Sequence, residues 1–501
     1  MKKRYLVMAM ALLLTGCAPK TDDSVTSTLA ESTAEAESTT EEETPEETTM
    51  EATTEEETTM EATTEEETTT EETTTEEETT TEEPLPEGTV YFKAGRKVDE
   101  RVAAINAATY ANPEAGVYDV FNLSLDVDTV YNMIASYAYP NADYIQGTPT
   151  PADIKEYIIA IRNLEGLRAQ PQINIRYGLI TSETDVRSFP TDIYLTNDDS
   201  FQTTDFDYVQ ESTFLAGEAV AIVHTSLDER FVFAIGQDYC GWILADSFVE
   251  CSKSMAYMFS NTDSFAVVKS SFIFYREYDE EEEAYKDIEY YMSMGTALPY
   301  DYSTYNMLLP TSGGGSGYLY LKNDKLIYSD TVVEGYENIA VRNVPTSFAN
   351  ATVGYMAYNE ENIAGQAKEL VGCAYSWGGK GLGYDCSAVT RSVYRCFGIV
   401  LPRNSGSIKN VGMTVTDVSE LSDGDKTAAI AALPKGSMIL MPGHVMIYVG
   451  RGHIVHAVSS YMDGQGKEYY NYKVVSTLTD VSNVLGEKYI SKITTFVVPT
   501  F

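Results

Sequence analysis

Two features decide what chemistry this 501-residue chain could perform: a cysteine set where a helix should begin, and two histidines on neighbouring strands. Gly383-Tyr384-Asp385-Cys386-Ser387-Ala388 follows a Gly-rich turn, Tyr375-Ser376-Trp377-Gly378-Gly379, and residues 389–397 continue as a helix closed by Gly398. Cys386 therefore stands at or beside a helix N-terminus, where unpaired N–H groups and the helix dipole favour a thiolate and lower its pKa. A nucleophilic cysteine also needs a base. The chain holds only four His. His444 opens His-Val-Met-Ile-Tyr-Val, a strand by composition, and His456 lies in Ile-Val-His-Ala-Val, the next strand, with Arg451-Gly452 marking the turn. Side chains alternate along a strand, so the two imidazoles share a face only if the hairpin register sum is even. A three- or five-residue loop centred on Gly450 achieves this, and a tight two-residue loop at Arg451-Gly452 does not. On one face, one imidazole takes the thiol proton while the other orients it and stabilises the imidazolium.

Each of these residues also has a plainer reading. An isolated extracytoplasmic cysteine is more often structural than catalytic, and a lone histidine on a strand is usually a satisfied, half-buried side chain. His453, beside the turn, and His224 are read that way. Cys240, Cys251, Cys373 and Cys396 are either free core thiols or two disulfides. Cys386 with both histidines would give a metal three ligands and no fourth, so catalysis is preferred, with no metal and no cofactor implied.

The elements that must position this site fall into successive regions. Length alone suggests about three domains. In residues 351–501, a segment at 362–371 is amphipathic, with Ile363, Ala367, Leu370 and Val371 on one face and Gly372 as a stop. Residues 177–252 read as short strands: the runs at 219–223, 230–234 and 241–244 are β-branched or aromatic and separated by Asp, Glu and Gly turns, which suggests a small barrel. Residues 253–350 form a second, vaguer β region with Gly313-Gly314-Gly315 and strands around 318–321. Residues 87–176 look mainly helical, the best segments being 98–109 and 151–164, the latter with Ile154, Tyr157, Ile158 and Ile161 at helical spacing. The fold class expected is α+β.

Taken together, Tyr375-Ser376-Trp377-Gly378-Gly379, Asp385-Cys386-Ser387, Gly398-Ile399-Val400-Leu401-Pro402-Arg403, His444-Val445 and His456-Ala457 resemble the NlpC-type papain-fold cysteine peptidases of bacterial cell walls. The resemblance implies Cys386 as nucleophile, His444 as base and His456 as the orienting residue, with backbone N–H groups at the helix start meeting the oxyanion. Three positions depart from the usual pattern: Ala388 replaces a Gly, Ser437 stands where Asp often follows the Pro-x-Gly turn, and Met446 replaces a small residue. None removes a catalytic group. Asp185-Val186-Arg187-Ser188-Phe189-Pro190-Thr191, Gly217-Glu218, His224-Thr225-Ser226-Leu227-Asp228 and Tyr239-Cys240-Gly241-Trp242 resemble the bacterial SH3-like barrels attached to wall peptidases.

The order helical region, barrel, barrel, peptidase is similar to hydrolases that cut γ-D-glutamyl–diamino acid bonds in peptidoglycan stem peptides. In that subgroup the first barrel walls off the cleft so that only a free N-terminal L-Ala fits, which physically requires a carboxylate for the ammonium. By resemblance, Tyr375, Asp385, Ser387 and Ser405 line the site, and Glu211 and Tyr239 are the barrel's contribution. The expected activity is cysteine endopeptidase action on stem peptides or released muropeptides. The alternatives are an endopeptidase on intact crosslinked wall, with the barrels as docking modules, and a catalytically silent wall-binding lipoprotein.

The N-terminus supplies an address. Met-Lys-Lys-Arg, a short apolar run and Leu14-Thr15-Gly16-Cys17 make a secretory signal over residues 1–16, too short to span a bilayer permanently. The last four residues resemble the bacterial lipobox, which implies lipidation of Cys17 and an extracytoplasmic, membrane-anchored protein. Residues 17–86 follow as a Thr/Glu-rich stalk. From Thr21 to Pro86 there are 25 acidic residues, no Lys or Arg, and no aromatic. Such a segment has nothing to bury against the entropy of ordering. The formal net charge of −42 repels phosphate backbones, so nucleic acid is excluded as a partner.

Overall fold

The computed structural model describes residues 89–140, 144–145, 148–196, 207–279 and 284–501. The chain divides into units 1–81 and 82–501, and everything described here belongs to the second. The signal segment 1–16, Cys17 and the stalk 17–86 lie outside the described residues.

Short runs of β-branched and aromatic residues build the first barrel. Its strands, Arg176–Ile180, Thr184–Arg187, Gln210–Phe214, Ala219–Thr225, Phe231–Ile235, Cys240–Leu244 and Phe248–Cys251, form one seven-stranded antiparallel sheet. Ile180, Val186, Phe214, Val220, Val232 and Ile243 fill its core, while the fully buried Trp242, Phe231 and Phe233 form the face on which N-terminal helices pack. A second sheet of eight strands gathers Phe265–Val268 and Ala297–Asp301 through Ala351–Val353, and takes Tyr91–Lys93 as an edge strand against Lys325–Ser329. Close by, Phe272–Asp279 and Ala284–Ser293 pair as a separate hairpin.

The N-terminal region holds helices Glu100–Ala111, Val127–Ala135, Ala152–Ala160 and Leu164–Arg168. Asp99 and Asp126 cap the first two, accepting from Arg101 N at 2.9 Å and Thr129 N at 2.7 Å, which satisfies amides that a helix start leaves unpaired. The single helix expected over 151–164 ends early, because Asn163 adopts a left-handed conformation (φ 56°) and a new short helix starts after it. These helices spread over the other cores: Val102 and Ile105 pack with the C-terminal domain, whereas Val130, Ile134 and Leu167 pack on the first barrel.

In the C-terminal domain, helices Glu360–Glu369 and Cys386–Arg395 cover one face of an eight-stranded sheet through Ile363, Val389, Val393, Val445 and Ile447. Helices Asp423–Ala431 and Tyr489–Lys492 cover the other through Ile430, Ile490, Met446 and Ile454. The first of these helices begins two residues earlier than hydrophobic spacing indicates, because Asn359 caps it by accepting from Asn362 N at 2.9 Å.

Candidate active site

Asp385 fixes where the helix carrying Cys386 begins. Its Oδ1 accepts from Ala388 N at 2.8 Å, so Cys386 becomes the first helical residue. Its Oδ2 accepts from Gly378 N at 3.1 Å and pairs with Arg403, which also donates to Ser387 Oγ. Burial alone would raise the Asp385 carboxyl, but Arg403 and the Ala388 amide outweigh it and hold it below its ordinary value. Gly378 needs its hydrogen side chain: φ is +75°, and a Cβ there would meet Gln210 Cγ at 2.4 Å.

The histidine pairing turns on one extra residue. The turn between the strands His444–Gly450 and His453–Met462 is the tight two-residue form, with Arg451 and Gly452 both at positive φ, 54° and 75°. By itself that turn would put the imidazoles on opposite faces. A bulge between Tyr448 and Gly450 restores the register, so that Tyr448 faces Ile454 and Ile447 faces Val455. The bulge changes the register sum from odd to even. His444 Nε2 then lies 2.9 Å from His456 Nδ1, and both rings pack against Tyr489, with centroids 6.0 and 5.8 Å away.

The thiol lies at the start of the first of these strands. The Val445 amide, one bond beyond His444, faces the Cys386 sulfur, as does the Ser387 amide. His444 also feels the Asp385 carboxylate. Burial lowers His444 to about 4, Asp385 opposing, and drives fully buried His456 well below its ordinary value. Both rings are therefore neutral near pH 7. The thiol departs from the expectation drawn from the helix dipole. Burial, reinforced by the Asp385 carboxylate, pushes Cys386 up to about 12 against the pull of the two amides and Arg403. Near pH 7 the thiol and both imidazoles are thus neutral.

The first barrel packs against the Gly-rich turn at 375–379. Thr213 Oγ1 donates to the carbonyls of Gly378 and Gly379 (3.1 and 3.0 Å), and Trp377 Nε1 donates to Gln210 O at 2.9 Å. Next to Gln210, Glu211 accepts from Tyr239 Oη at 2.9 Å. Burial raises the Glu211 carboxyl, while Tyr239, Ser188 and Arg403 act to lower it. Arg403 in turn feels Tyr239, so the barrel pair shares an electrostatic environment with the Asp385–Arg403 network. Tyr375 lies within the fields of Asp385, Cys386 and Arg403 and edges onto Tyr472. Ser405, two residues past Arg403, opens the short 3-10 helix Ser405–Asn410 and makes no side-chain hydrogen bond among the described residues.

Sequence reasoning missed two sets of residues. Arg391, on the helix carrying Cys386, holds Asp238 of the barrel through two 2.8 Å bonds and Ser212 at 3.3 Å, and Arg395 adds a 2.7 Å bond to Asp238. Asp238 and Ser212 adjoin Tyr239 and Glu211 in sequence, so this ionic joint sets the barrel pair relative to Cys386. The second is Thr477, whose Oγ1 is 3.0 Å from His456 Nε2. His453 is exposed. His224 is buried, with Nε2 3.0 Å from Arg162 O. Cys240, Cys251, Cys373, Cys386 and Cys396 are all free thiols. Ala388 and Met446 are accommodated, the latter in the core under Tyr489, and Ser437 Oγ donates to Pro434 O at 2.8 Å. No cluster of three His, Cys, Asp or Glu side chains fit for a metal occurs among the described residues.

Residues 372–479 match the NlpC/P60 family, and residues 194–244 match the SH3 domain of SH3b1 type. A γ-D-glutamyl-L-lysine dipeptidyl-peptidase of Bacillus cereus is 27% identical over 259 residues, covering 49% of this chain and 67% of that protein. A probable endopeptidase p60 of Listeria seeligeri is 40% identical over 96 residues, 19% of this chain and 17% of the relative. The solved structure of an NlpC/P60 endopeptidase from Photobacterium damselae subsp. piscicida superposes with a TM-score of 0.60 over 81% of this chain and 95% of that one, at 15% identity, a likeness of fold.

Proposed function

We propose, from the premise that this chain is an NlpC/P60 cysteine peptidase carrying an SH3b domain, that it hydrolyses the γ-D-glutamyl–diamino acid bond of peptidoglycan stem peptides whose N-terminal L-Ala is free. One observation carries the reading: a hydrogen-bonded Glu211–Tyr239 pair from the first barrel lies in reach of Arg403, which pairs with Asp385 beside the thiol. A half-buried carboxylate at that wall suits a substrate ammonium and penalises a neutral, blocked terminus. The name of the Bacillus cereus relative supports the same bond.

The chemistry follows from the ring geometry. His444 Nε2 is engaged by His456, which leaves Nδ1 for the thiol proton. As the Cys386 sulfur attacks the γ-D-Glu carbonyl carbon, its proton passes to His444 Nδ1 and the carbonyl oxygen gains charge near the helix-start amides. Collapse breaks the C–N bond, and the diamino acid's amine leaves with the proton from His444. Water, deprotonated by His444, then cleaves the thioester and restores the thiol. Cys386 is the nucleophile, His444 the base and His456 its orienting partner, with Tyr375, Asp385, Ser387 and Ser405 lining the cleft. Lipidation at Cys17 belongs to the same reading, placing the enzyme at the membrane surface within reach of wall fragments. It is checked by the mass of the mature N-terminus.

The deciding experiment incubates the protein with L-Ala-γ-D-Glu-diaminopimelate and with the same peptide blocked at its amine. Cleavage of the free form alone supports the proposal. Equal cleavage of both assigns the enzyme to intact wall, and cleavage of neither leaves a wall-binding protein.

A further inference from the structure

The line of hydrogen bonds that starts at the thiol does not end at His456. That ring is fully buried and engaged at both nitrogens, Nδ1 by His444 and Nε2 by Thr477 Oγ1. Thr477 lies on the third strand, Glu468–Leu478. There Val475 sits opposite His456, and Thr477, two residues on, shares its face. Thr477 is 7% exposed.

We propose that Thr477 is a positioning residue for catalysis, supplying the acceptor His456 needs while His444 carries the thiol proton. The inference rests on the reading of Cys386 and His444 given above. Proton bookkeeping makes the case. Once His444 has taken the proton at Nδ1 it carries hydrogen on both nitrogens, so Nε2–H must be accepted by His456 Nδ1. His456 must then hold its own proton on Nε2, where Thr477 Oγ1 accepts it. The opposite tautomer, with His456 protonated on Nδ1, turns a donor toward His444 Nε2. It forces the His444 proton onto Nδ1 and leaves no base facing the thiol. A hydroxyl with free lone pairs keeps the productive tautomer open. An apolar group leaves a buried N–H unpaired in the charged state alone, so its cost falls on the transition state rather than on substrate binding.

Thr477→Val, nearly equal in volume, tests this. The expected result is a kcat lowered roughly tenfold to a hundredfold with KM within about twofold, smaller than the roughly 10⁴-fold cost of a wrong tautomer enforced by a lost carboxylate. Thr477→Ser, which keeps the hydroxyl, should recover activity to within about threefold of the parent. Two readouts do not depend on the substrate. Iodoacetamide alkylation of Cys386, followed by peptide mass, should slow in Thr477→Val. In the unmutated protein, ¹⁵N spectra of the four imidazoles should place the His456 proton on Nε2. Activity of Thr477→Val within twofold of the parent, a Ser variant no better than Val, or a His456 proton on Nδ1 each overturns the inference. Activity retained in Cys386→Ala or His444→Gln overturns the underlying reading instead.

Discussion

The helix that carries Cys386 is held in two different ways along its length. At its N-terminus, beside the Asp385–Arg403 pair that caps it, stand the Cys386 thiol and a neutral line on one sheet, His444, His456 and Thr477. From one to two turns further on, the partners are charged and come from another domain: Arg391 and Arg395 grip Asp238, with Glu218 alongside. The difference follows from what each end must do. On the reading proposed above, a proton passes from the thiol to His444, and His456 with Thr477 hold the ring that accepts it. The second set has only to stay put, and a buried bidentate arginine–carboxylate pair fixes distance and orientation together. Burial raises Asp238, yet the two arginines outweigh it and keep the carboxyl ionised.

Breaking the neutral end should have the largest effect on rate and the smallest on stability. Cys386→Ala and His444→Gln are each expected to lower kcat by roughly 10⁴ or more, with a melting temperature close to that of the parent. Peptide hydrolysis read beside thermal unfolding checks both halves of that statement.

Breaking the charged end should do the reverse. Asp238→Asn leaves two nearly buried guanidinium groups underpaired, and removing one partner of such a pair costs about 3–5 kcal/mol. Thermal and urea unfolding should both show it. Replacing Asp238 and Arg391 together by apolar residues should cost less than the single change, since no orphaned charge remains. If Asp238→Asn also narrows the preference for free-amine peptide, the joint sets specificity as well as stability.

Glu211→Gln sharpens the contrast between holding and recognising. It keeps a partner for Tyr239 Oη but removes the negative charge. The expected outcome is a rise in KM for the free-amine peptide of roughly tenfold to a hundredfold, as for a charged hydrogen bond worth about 1.5–3 kcal/mol. The amine-blocked peptide should stay uncleaved by parent and variant alike, which product analysis with the two peptides would reveal.

The two ends also differ in how far the sequence discloses them. Cys386 and the histidines are legible because the chain has four His, the helix start is marked by Asp385 and Gly-rich residues, and its end by Gly398. The closeness of His444 to His456 is not. Alternation and the Arg451-Gly452 turn argue for opposite faces, and only the bulge before Gly450 reverses this. Thr477 depends on which strand pairs with which, a long-range matter that local pattern does not carry. The Asp238–Arg391 pair joins positions 153 apart, and a single sequence offers no cue to couple them. The thiol's direction of shift escaped for a related reason: the helix dipole can be read locally, whereas burial is a property of the assembled domains. The N-terminal helices show the same limit, since their apolar faces are visible but not that Ile105 belongs to one core and Ile134 to another.

The subtlest expected difference is in pH dependence, where the two ends pull in opposite directions. His444 and His456 stay neutral in the folded protein well below their ordinary range, His444 to about 4. Above pH 6.5 they add no pH dependence. As pH falls from there toward 4 the unfolded chain takes protons that the folded one refuses, so stability declines. Glu183, near Arg395 and Glu218, behaves conversely. Burial raises it to about 7 even though Ser293 donates to it from N (2.6 Å) and Oγ (2.9 Å). The folded state therefore binds its proton more tightly, and its contribution is full below 4.5 and lost as pH climbs toward 7. Between 4.5 and 6.5 the slopes oppose, two imidazoles against one carboxyl, so the parent's stability should still fall toward acid but less steeply than the imidazoles alone would make it. Glu183→Gln removes one slope and leaves the other. Urea unfolding across pH 4.5–7 should then show the variant gaining stability relative to the parent as pH rises, and a difference that stays constant with pH would mean that Glu183 is ionised throughout. Turnover separates the ends once more. The acid limb of kcat/KM should fall near pH 4, where His444 gains its proton, and should stay there in Glu183→Gln.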